Sequence, residues 1–482
     1  MQKFSLLFNK LSIYLILGLV VFVPLYPKFP LLNVSSTFVA IRAEDILIAW
    51  IVAIWFVGNL RRMKDFFSHA LFQVILLFWF IGGLAVVSGI FITYTVDFQL
   101  GVLHWLRRIE YMSLFVVGAT SVSNLAEIKL IIKTIFVVAG AIIIYGFGQI
   151  FLGFPVISTT NSEFSKGLIL YLMNGARVNS TFAGHYDLAM YLTIILVMTG
   201  SFFFYSKSLP DRLKLITYGV LAAILLGFTA ARLSFVATLF GLSATFWLLG
   251  KKIFLIGLVV GAVILIGAIP DLRHRLVATV TVNLLGGGGA KYDPPPGTVT
   301  IFTPVSAIPE SSRAAILEQV QKDATDPAKR QKIISADTVP GEPINSTELG
   351  VYRSFGIRTN IEWPRAINSF GRNPILGTGY SSIALATDND ILRSLGETGL
   401  LGTLTLGLIF YTILKRMWNF LKTALGFEYY FILSMFCSVL AILITSLFID
   451  ALEASKIAEV FWLMLGLSWA VITGYRLRTP HS

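Results

Sequence analysis

Residues 71–91, LFQVILLFWFIGGLAVVSGIF, contain no charged side chain over a length that can cross a membrane as a helix. Eleven further runs of similar character lie along the 482-residue chain. The sequence therefore predicts an all-α polytopic membrane protein with about 12 transmembrane helices. We expect them near 12–29, 38–58, 71–91, 101–121, 129–152, 185–205, 213–229, 232–249, 253–269, 391–413, 427–449 and 457–475.

Composition excludes a soluble enzyme, because only 13% of the residues are charged and the mean hydropathy is +0.77. Ordinary soluble domains carry about 25% charged residues. Lysines and arginines recur in alternate short loops, which predicts that both termini are cytoplasmic. The net charge of +12 is largely this topological signal. It therefore requires no nucleic-acid partner.

The predicted helices form two membrane blocks that are separated by a large extracytoplasmic loop. Residues 1–269 hold about nine transmembrane helices, and residues 391–482 hold about three. The loop, 270–390, is expected to contain surface helices and a variable insert at 284–345, which is rich in glycine and proline at its start. The single cysteine, Cys437, lies inside an apolar run, where we expect a small buried hydrophobic side chain.

Several arginines fall on the predicted outer side, where the positive-inside rule leaves few. A guanidinium offers a fork of donors that matches phosphate oxygens, so the set favours anion binding. The alternatives are snorkelling to lipid head groups and pairing with nearby acids, such as Glu362. Arg232 is the strongest case, since its turn is too short to lift it into water. The set comprises Arg107, Arg108, Arg177, Arg232, Arg358, Arg365, Arg372 and Arg393. The candidate diphosphate ligands among them are Arg108, Arg177, Arg232, Arg358 and Arg365.

Two groups at predicted helix mouths are candidate bases. Asp388 precedes one helix, where it either caps the helix or takes a proton from an attacking hydroxyl. His185 opens another helix and is either a base or a structural side chain.

The sequence makes less specific predictions for three further carboxylates. Glu397 is spaced to pair with Arg393 at i, i+4 on one helix. We expect Asp450 and Glu453, in the last outer turn, to be solvated.

The order and spacing of several motifs resemble the O-antigen ligase and O-antigen polymerase superfamily over roughly 100–270 and 350–415. The motifs are Arg358-x4-Trp363, Asn373-Pro374-x-Leu376-Gly377-x-Gly379, Asp388-Asn389 and Leu395-x-Glu397-x-Gly399-x-x-Gly402. Arg177–Leu188, Thr229-x-x-Arg232 and Arg108-x-Glu110-Tyr111 also fit.

The resemblance implies a metal-independent glycosyltransferase of the bacterial inner membrane that has no cofactor. Its donor would be an undecaprenyl-diphosphate-linked glycan, and its acceptor a hydroxyl on a glycan or lipid. By the same resemblance Arg177, Arg232 and Arg358 would hold the diphosphate. Supporting roles would fall to Trp363, Gly377, Gly379, Asn389 and Glu397. Ligases carry a histidine base where this chain has Asp388, which leaves ligase and polymerase both open.

Three other kinds of protein that handle lipid-linked sugars remain as alternatives: a transporter or flippase, a protein O-glycosyltransferase and a peptidoglycan-type polymerase. A transporter or flippase should line its central helices with charge, whereas mid-helix positions here are mostly apolar. A protein O-glycosyltransferase or a peptidoglycan-type polymerase would use the same donor chemistry with a different acceptor.

Overall fold

The computed structural model describes residues 2–27, 29–33, 40–156, 171–172, 177–280, 358–383 and 387–475. The chain divides into two compact units. The first comprises Met1–Leu272 and Glu362–Ser482, and the second comprises Arg273–Ile361. The expected insert at 284–345, with any surface helix in it, lies outside the described residues.

The helices of the first half follow one another with short connections. They are α1 (Gln2–Leu25), α2 (Ala43–Asn59), α3 (Met63–Ser68), α4 (Ala70–Phe91), α5 (Phe98–Ser121), α6 (Leu125–Phe151), α7 (His185–Tyr205), α8 (Leu209–Phe228), α9 (Arg232–Leu248), α10 (Ile253–Ala268) and α11 (Pro270–Ala278). Strands β1 (Pro30–Asn33) and β2 (Ala40–Arg42) pair antiparallel between α1 and α2. A 3-10 turn, Leu60–Arg62, leads into α3.

The helices of the second half are α12 (Trp363–Arg372), α13 (Asp390–Leu421), α14 (Gly426–Thr445) and α15 (Ser455–Ile472). A π-helical turn, Arg358–Glu362, precedes α12. Of the second unit, the structure describes residues 273–280 and 358–361.

A helix coincides with each of the twelve predicted apolar ranges. Six of the described helices, α4, α6, α7, α13, α14 and α15, are long and apolar enough to cross a membrane, or seven spans if α10 and α11 form one. This confirms a helical membrane protein, whereas the count of twelve stays a prediction. Helix α5 illustrates why length is insufficient, since Arg107, Arg108 and Glu110 interrupt its apolar character.

The core of the first unit lies around α7 and α15, the two most enclosed of the six long apolar helices. Helix α15 runs against α5, where Gly118 and Gly466 let the two backbones touch. A β-carbon at Gly466 would lie 2.2 Å from the Phe115 carbonyl oxygen, so only glycine fits there. At the other extreme, α10 buries only Ala262.

Helix α13 is broken at Gly399, whose φ of 66° is a left-handed conformation that glycine adopts without steric cost. The residues before α13 fill the break. The Thr378 and Gly379 amides donate to the carbonyl oxygens of Gly396 and Glu397, at 2.9 and 2.8 Å. The Leu400 amide donates to the Pro374 oxygen at 2.8 Å. The backbone groups that the break releases are thereby paired again.

Candidate functional site

Several helix ends meet through direct hydrogen bonds at what we call the charged end, where α2, α7, α9, α13 and α15 begin. The central residue of this hydrogen-bond network is Lys456, which is fully buried in the first turn of α15. Its Nζ donates to the Thr181 carbonyl oxygen at 2.8 Å and to the Pro24 oxygen at 3.4 Å. Arg42, before α2, donates from Nη1 to the Ser455 hydroxyl at 3.1 Å. The ends of α1, α2, α7 and α15 are therefore held together.

The segments that carry Arg177 and Arg232 are also neighbours. The amide of Val178 donates to the carbonyl oxygen of Phe228 at 3.5 Å. Only residues 229–231 separate Phe228 from Arg232, the first residue of α9. The hydroxyl of Thr229 shapes this turn by accepting from the Ala231 amide at 3.3 Å. The tight turn expected from the sequence is confirmed.

His185 opens α7 and contacts Arg177 directly, through Nε2 and the Nη1 atom of the guanidinium. A guanidinium can only donate, so Nε2 must accept in this contact. The proton of the neutral ring then lies on Nδ1. The Arg177 guanidinium also stacks on the Tyr186 ring, 5.9 Å from its centroid. In this arrangement Nε2 is occupied and does not face an attacking hydroxyl.

Arg108 lies in the middle of α5 and is mostly enclosed. It forms an ion pair with Glu453 and donates from Nη1 to the Leu452 carbonyl oxygen at 3.2 Å. Its guanidinium lies over the Tyr380 ring, 5.6 Å from the centroid. A diphosphate held by Arg108 would therefore compete with the Glu453 carboxylate.

Arg393 forms the second ionic cluster. It approaches Glu397 on the same helix, with 3.5 Å between Nε and Oε1, as the i, i+4 spacing predicts. Its Nη1 lies 2.8 Å from Asp450 Oδ2. The expectation that Asp450 and Glu453 are solvated is wrong, because their side chains are only 13% and 23% exposed and both pair with arginines. Sequence spacing gave no signal for these pairs, since the partners are remote along the chain.

Asn389, rather than Asp388, caps α13. Its side-chain oxygen accepts from the Leu392 amide at 2.9 Å, and its Nδ2 donates to the Leu447 oxygen, also at 2.9 Å. Asp388 lies one residue earlier, partly exposed, with a left-handed φ of 49°. The capping role is thus already filled by Asn389. Asp388 is placed beside the helix start without being its N-cap.

A cavity of about 40 Å³, enough for ordered water, lies between α4, α5, α13 and the turn before α15. Burial raises the pKa of the Tyr380 phenol, so this hydroxyl stays protonated in the cavity wall. The polar lining comes from four separate parts of the chain. It consists of Arg108, Tyr111, Tyr380, Asp390, Ser394, Glu397, Thr398 and Glu453.

The glycines of the motif before α13 have a packing role. Gly377 has a φ of 71°, and a β-carbon there would lie 2.5 Å from the Glu397 carbonyl. Gly379 has a φ of 90°, and a β-carbon there would lie 2.9 Å from the Ala85 oxygen of α4. These contacts fix Ser381, whose amide donates to Glu397 Oε1 at 3.2 Å. The two glycines therefore position Glu397 indirectly.

The remaining predicted site residues lie near α12. Trp363 begins this helix and its ring contacts Phe448, with 6.1 Å between centroids. Arg365 lies on α12 and is partly exposed. Arg358 begins the π-helical turn and belongs to the second unit.

Comparison with known proteins adds no family assignment. No protein-family model matches the sequence. A search of curated proteins finds no significant similarity.

Proposed function

We propose that the protein is a membrane glycosyltransferase of O-antigen ligase or polymerase type. It moves or polymerises glycan from an undecaprenyl-diphosphate donor onto a hydroxyl acceptor, without a metal ion. In this proposal the twelve helices cross the bacterial inner membrane with both termini in the cytoplasm. The charged end then faces the extracytoplasmic side, where the donor is presented.

The observation that carries the proposal is the joining of the Arg177 and Arg232 segments at one end of the first unit. The bond from the Val178 amide to the Phe228 carbonyl oxygen brings together residues that are 50 positions apart. Two guanidiniums from adjacent segments suit the several oxygens of a diphosphate. Arg358 is retained as a third contributor on the strength of the motif alone.

The transfer itself needs one bond made and one bond broken. The acceptor hydroxyl oxygen attacks the anomeric carbon of the donor sugar, and the bond from that carbon to the diphosphate oxygen breaks. The electron pair leaves with undecaprenyl diphosphate, whose developing charge the arginines compensate. The hydroxyl proton passes to a base on the protein.

Asp388 is the better candidate for that base. His185 Nε2 is already engaged by Arg177, so His185 is suited to orient the guanidinium. Asp388 is partly exposed, and Asn389 rather than Asp388 is the N-cap of α13. The Asp388 carboxylate, just before the start of α13, can accept a proton without giving up a helix-capping hydrogen bond.

The test is an in vitro transfer assay. Protein in liposomes is incubated with an undecaprenyl-diphosphate oligosaccharide and a glycan, lipid or protein acceptor, and the products are identified by mass. We expect new glycosidic bonds, and we expect Arg232→Ala and Arg358→Ala to lower the rate by about a hundredfold or more while the protein still inserts.

Arg212→Ala is the matched control, because Arg212 lies at the opposite end of α8 and donates to the Ser206 oxygen. We expect it to retain the wild-type rate. Normal product from both Arg232→Ala and Arg358→Ala would contradict a diphosphate seat. Movement of the intact donor across the bilayer without a new bond would identify a flippase instead.

A further inference from the structure

Two aspartates at the charged end bind each other's turns in a reciprocal way. Asp450 lies in the turn between α14 and α15, and its Oδ2 and Oδ1 accept from the amides of Thr387 and Asn389, at 3.0 and 3.1 Å. Asp390 begins α13, and its Oδ2 accepts from the amides of Ala451 and Leu452, at 2.9 and 3.0 Å. Each carboxylate thus caps the backbone of the other's segment.

Further contacts surround this pair of turns, which we call the aspartate clasp. The Asp390 amide donates to the Ser446 oxygen at 2.8 Å, and Asn389 Nδ2 donates to Leu447. Arg393 compensates the charge of Asp450 from one turn further along α13. Both carboxylates are largely buried, with Asp390 only 6% exposed. The bonds of Asp450, whose charge Arg393 compensates, are charge-assisted, and such bonds are among the stronger ones in proteins.

Asp388 lies between the two amides that Asp450 holds. Its own φ of 49° is a left-handed conformation that is uncommon for residues with a β-carbon, although aspartate adopts it more readily than most. Such a conformation persists where the surroundings fix the backbone on both sides. The Thr387 and Asn389 bonds supply that restraint, one residue before and one residue after.

We propose that Asp450 is a positioning residue that holds the Asp388 carboxylate at the mouth of the site. Asp390 acts in the same device by fixing the turn that presents Asp450. Asp450 itself does not touch substrate. The backbone part of this proposal is independent of the activity, whereas the catalytic part rests on the function proposed above.

Hydrogen exchange tests the backbone part. In detergent-solubilised protein, we expect peptides that cover Thr387 and Asn389 to exchange about tenfold faster or more in Asp450→Ala. Asp450→Asn keeps one acceptor oxygen and should lie between wild type and Asp450→Ala. Glu453→Gln is the matched control, since it removes a carboxylate from the same turn but leaves both Asp450 bonds intact. Unchanged exchange in Asp450→Ala would overturn the clasp.

Kinetics test the positioning part. In the transfer assay we expect Asp450→Asn to lower kcat by about tenfold or more while the donor KM stays within about twofold, because only the base is displaced. A general loss of folding would instead lower the amount of active protein at unchanged kcat per active site. Wild-type kcat with accelerated exchange would show that Asp388 needs no such restraint, and would overturn the role. Accelerated exchange in Asp450→Ala, together with a wild-type protein that shows no transfer activity, would uphold the clasp and reject the proposed function.

Discussion

At the scale of single residues, the arginines divide by what already compensates their charge. Arg108 and Arg393 are paired with carboxylates from the turn between α14 and α15. Arg177 contacts an imidazole and a tyrosine ring. A carboxylate partner compensates the charge of a guanidinium and takes up some of its donors, which weakens its attraction for an added anion. Arg108 as a diphosphate ligand would therefore share its guanidinium with Glu453, although the sequence placed it in one set with Arg177.

The two candidate bases can be separated by variants that keep or remove one acceptor atom. His185→Gln retains an oxygen near the position of Nε2, so it should still orient Arg177 and keep most of the transfer rate. His185→Ala should raise the KM for the glycan donor by about tenfold, because the Arg177 guanidinium would no longer be oriented toward the diphosphate. Asp388→Asn should lower kcat by about a hundredfold or more with little change in KM.

These variants are compared by steady-state kinetics in liposomes, with protein amounts matched after purification. A His185→Gln enzyme as inactive as His185→Ala would identify the imidazole as the base. Full activity of Asp388→Asn would exclude Asp388 from proton transfer.

At the scale of elements, the apolar runs predicted the helices well, because the apolar character of a helix depends only on its own consecutive residues. The break at Gly399 was not predicted as a break, since it depends on residues 374–379 approaching from outside the helix. The pairing of Arg393 with Glu397 was predicted, because both lie on one helix at i, i+4. The roles of Asp450 and Glu453 were missed, because their partners come from α5 and α13.

The break in α13 gives a stability prediction. Gly399→Ala should destabilise the protein by at least about 1–2 kcal/mol, because the residue has a φ of 66° and a strained backbone there is costly for a β-carbon. The new atom would also lie 2.4 Å from the Ile375 oxygen. The measurement is thermal unfolding in detergent.

Gly407→Ala is the control on the same helix, where a β-carbon meets nothing within 4 Å. Alanine has the higher helix propensity, so this variant should be neutral or slightly more stable. Equal unfolding temperatures for the two variants would show that the break carries no steric constraint.

At the scale of the whole molecule, the predicted topology can be tested with single cysteines. The native Cys437 is buried, so it contributes little background labelling. A cysteine at Ser311, in the predicted outer loop, should react with a membrane-impermeant maleimide in intact cells. A cysteine at Ser208, in the exposed turn between α7 and α8, should react only after permeabilisation. The opposite pattern would invert the orientation and place the charged end in the cytoplasm.

The sequence predicted the class of the molecule and which charged residues are candidates for the site. It did not predict the hydrogen bonds that join distant segments. Lys456 shows why. One buried ammonium joins α15 to Thr181 and Pro24, and nothing in its local sequence marks it as different from any basic residue near a helix start. Buried polar joints of this kind depend on partners that come together only in the folded chain.

The small buried surface of α10 has a consequence for handling the protein. Because only Ala262 of this helix is buried, we expect lipid tails rather than protein side chains to provide most of its apolar surroundings. Its attachment is then governed by the acyl chains available to it, since helix association in lipid relies on close packing. Extraction into short-chain detergents should therefore loosen α10 before α13, α14 and α15, which the aspartate clasp holds together. The thickness of the bilayer should also change how firmly α10 is attached.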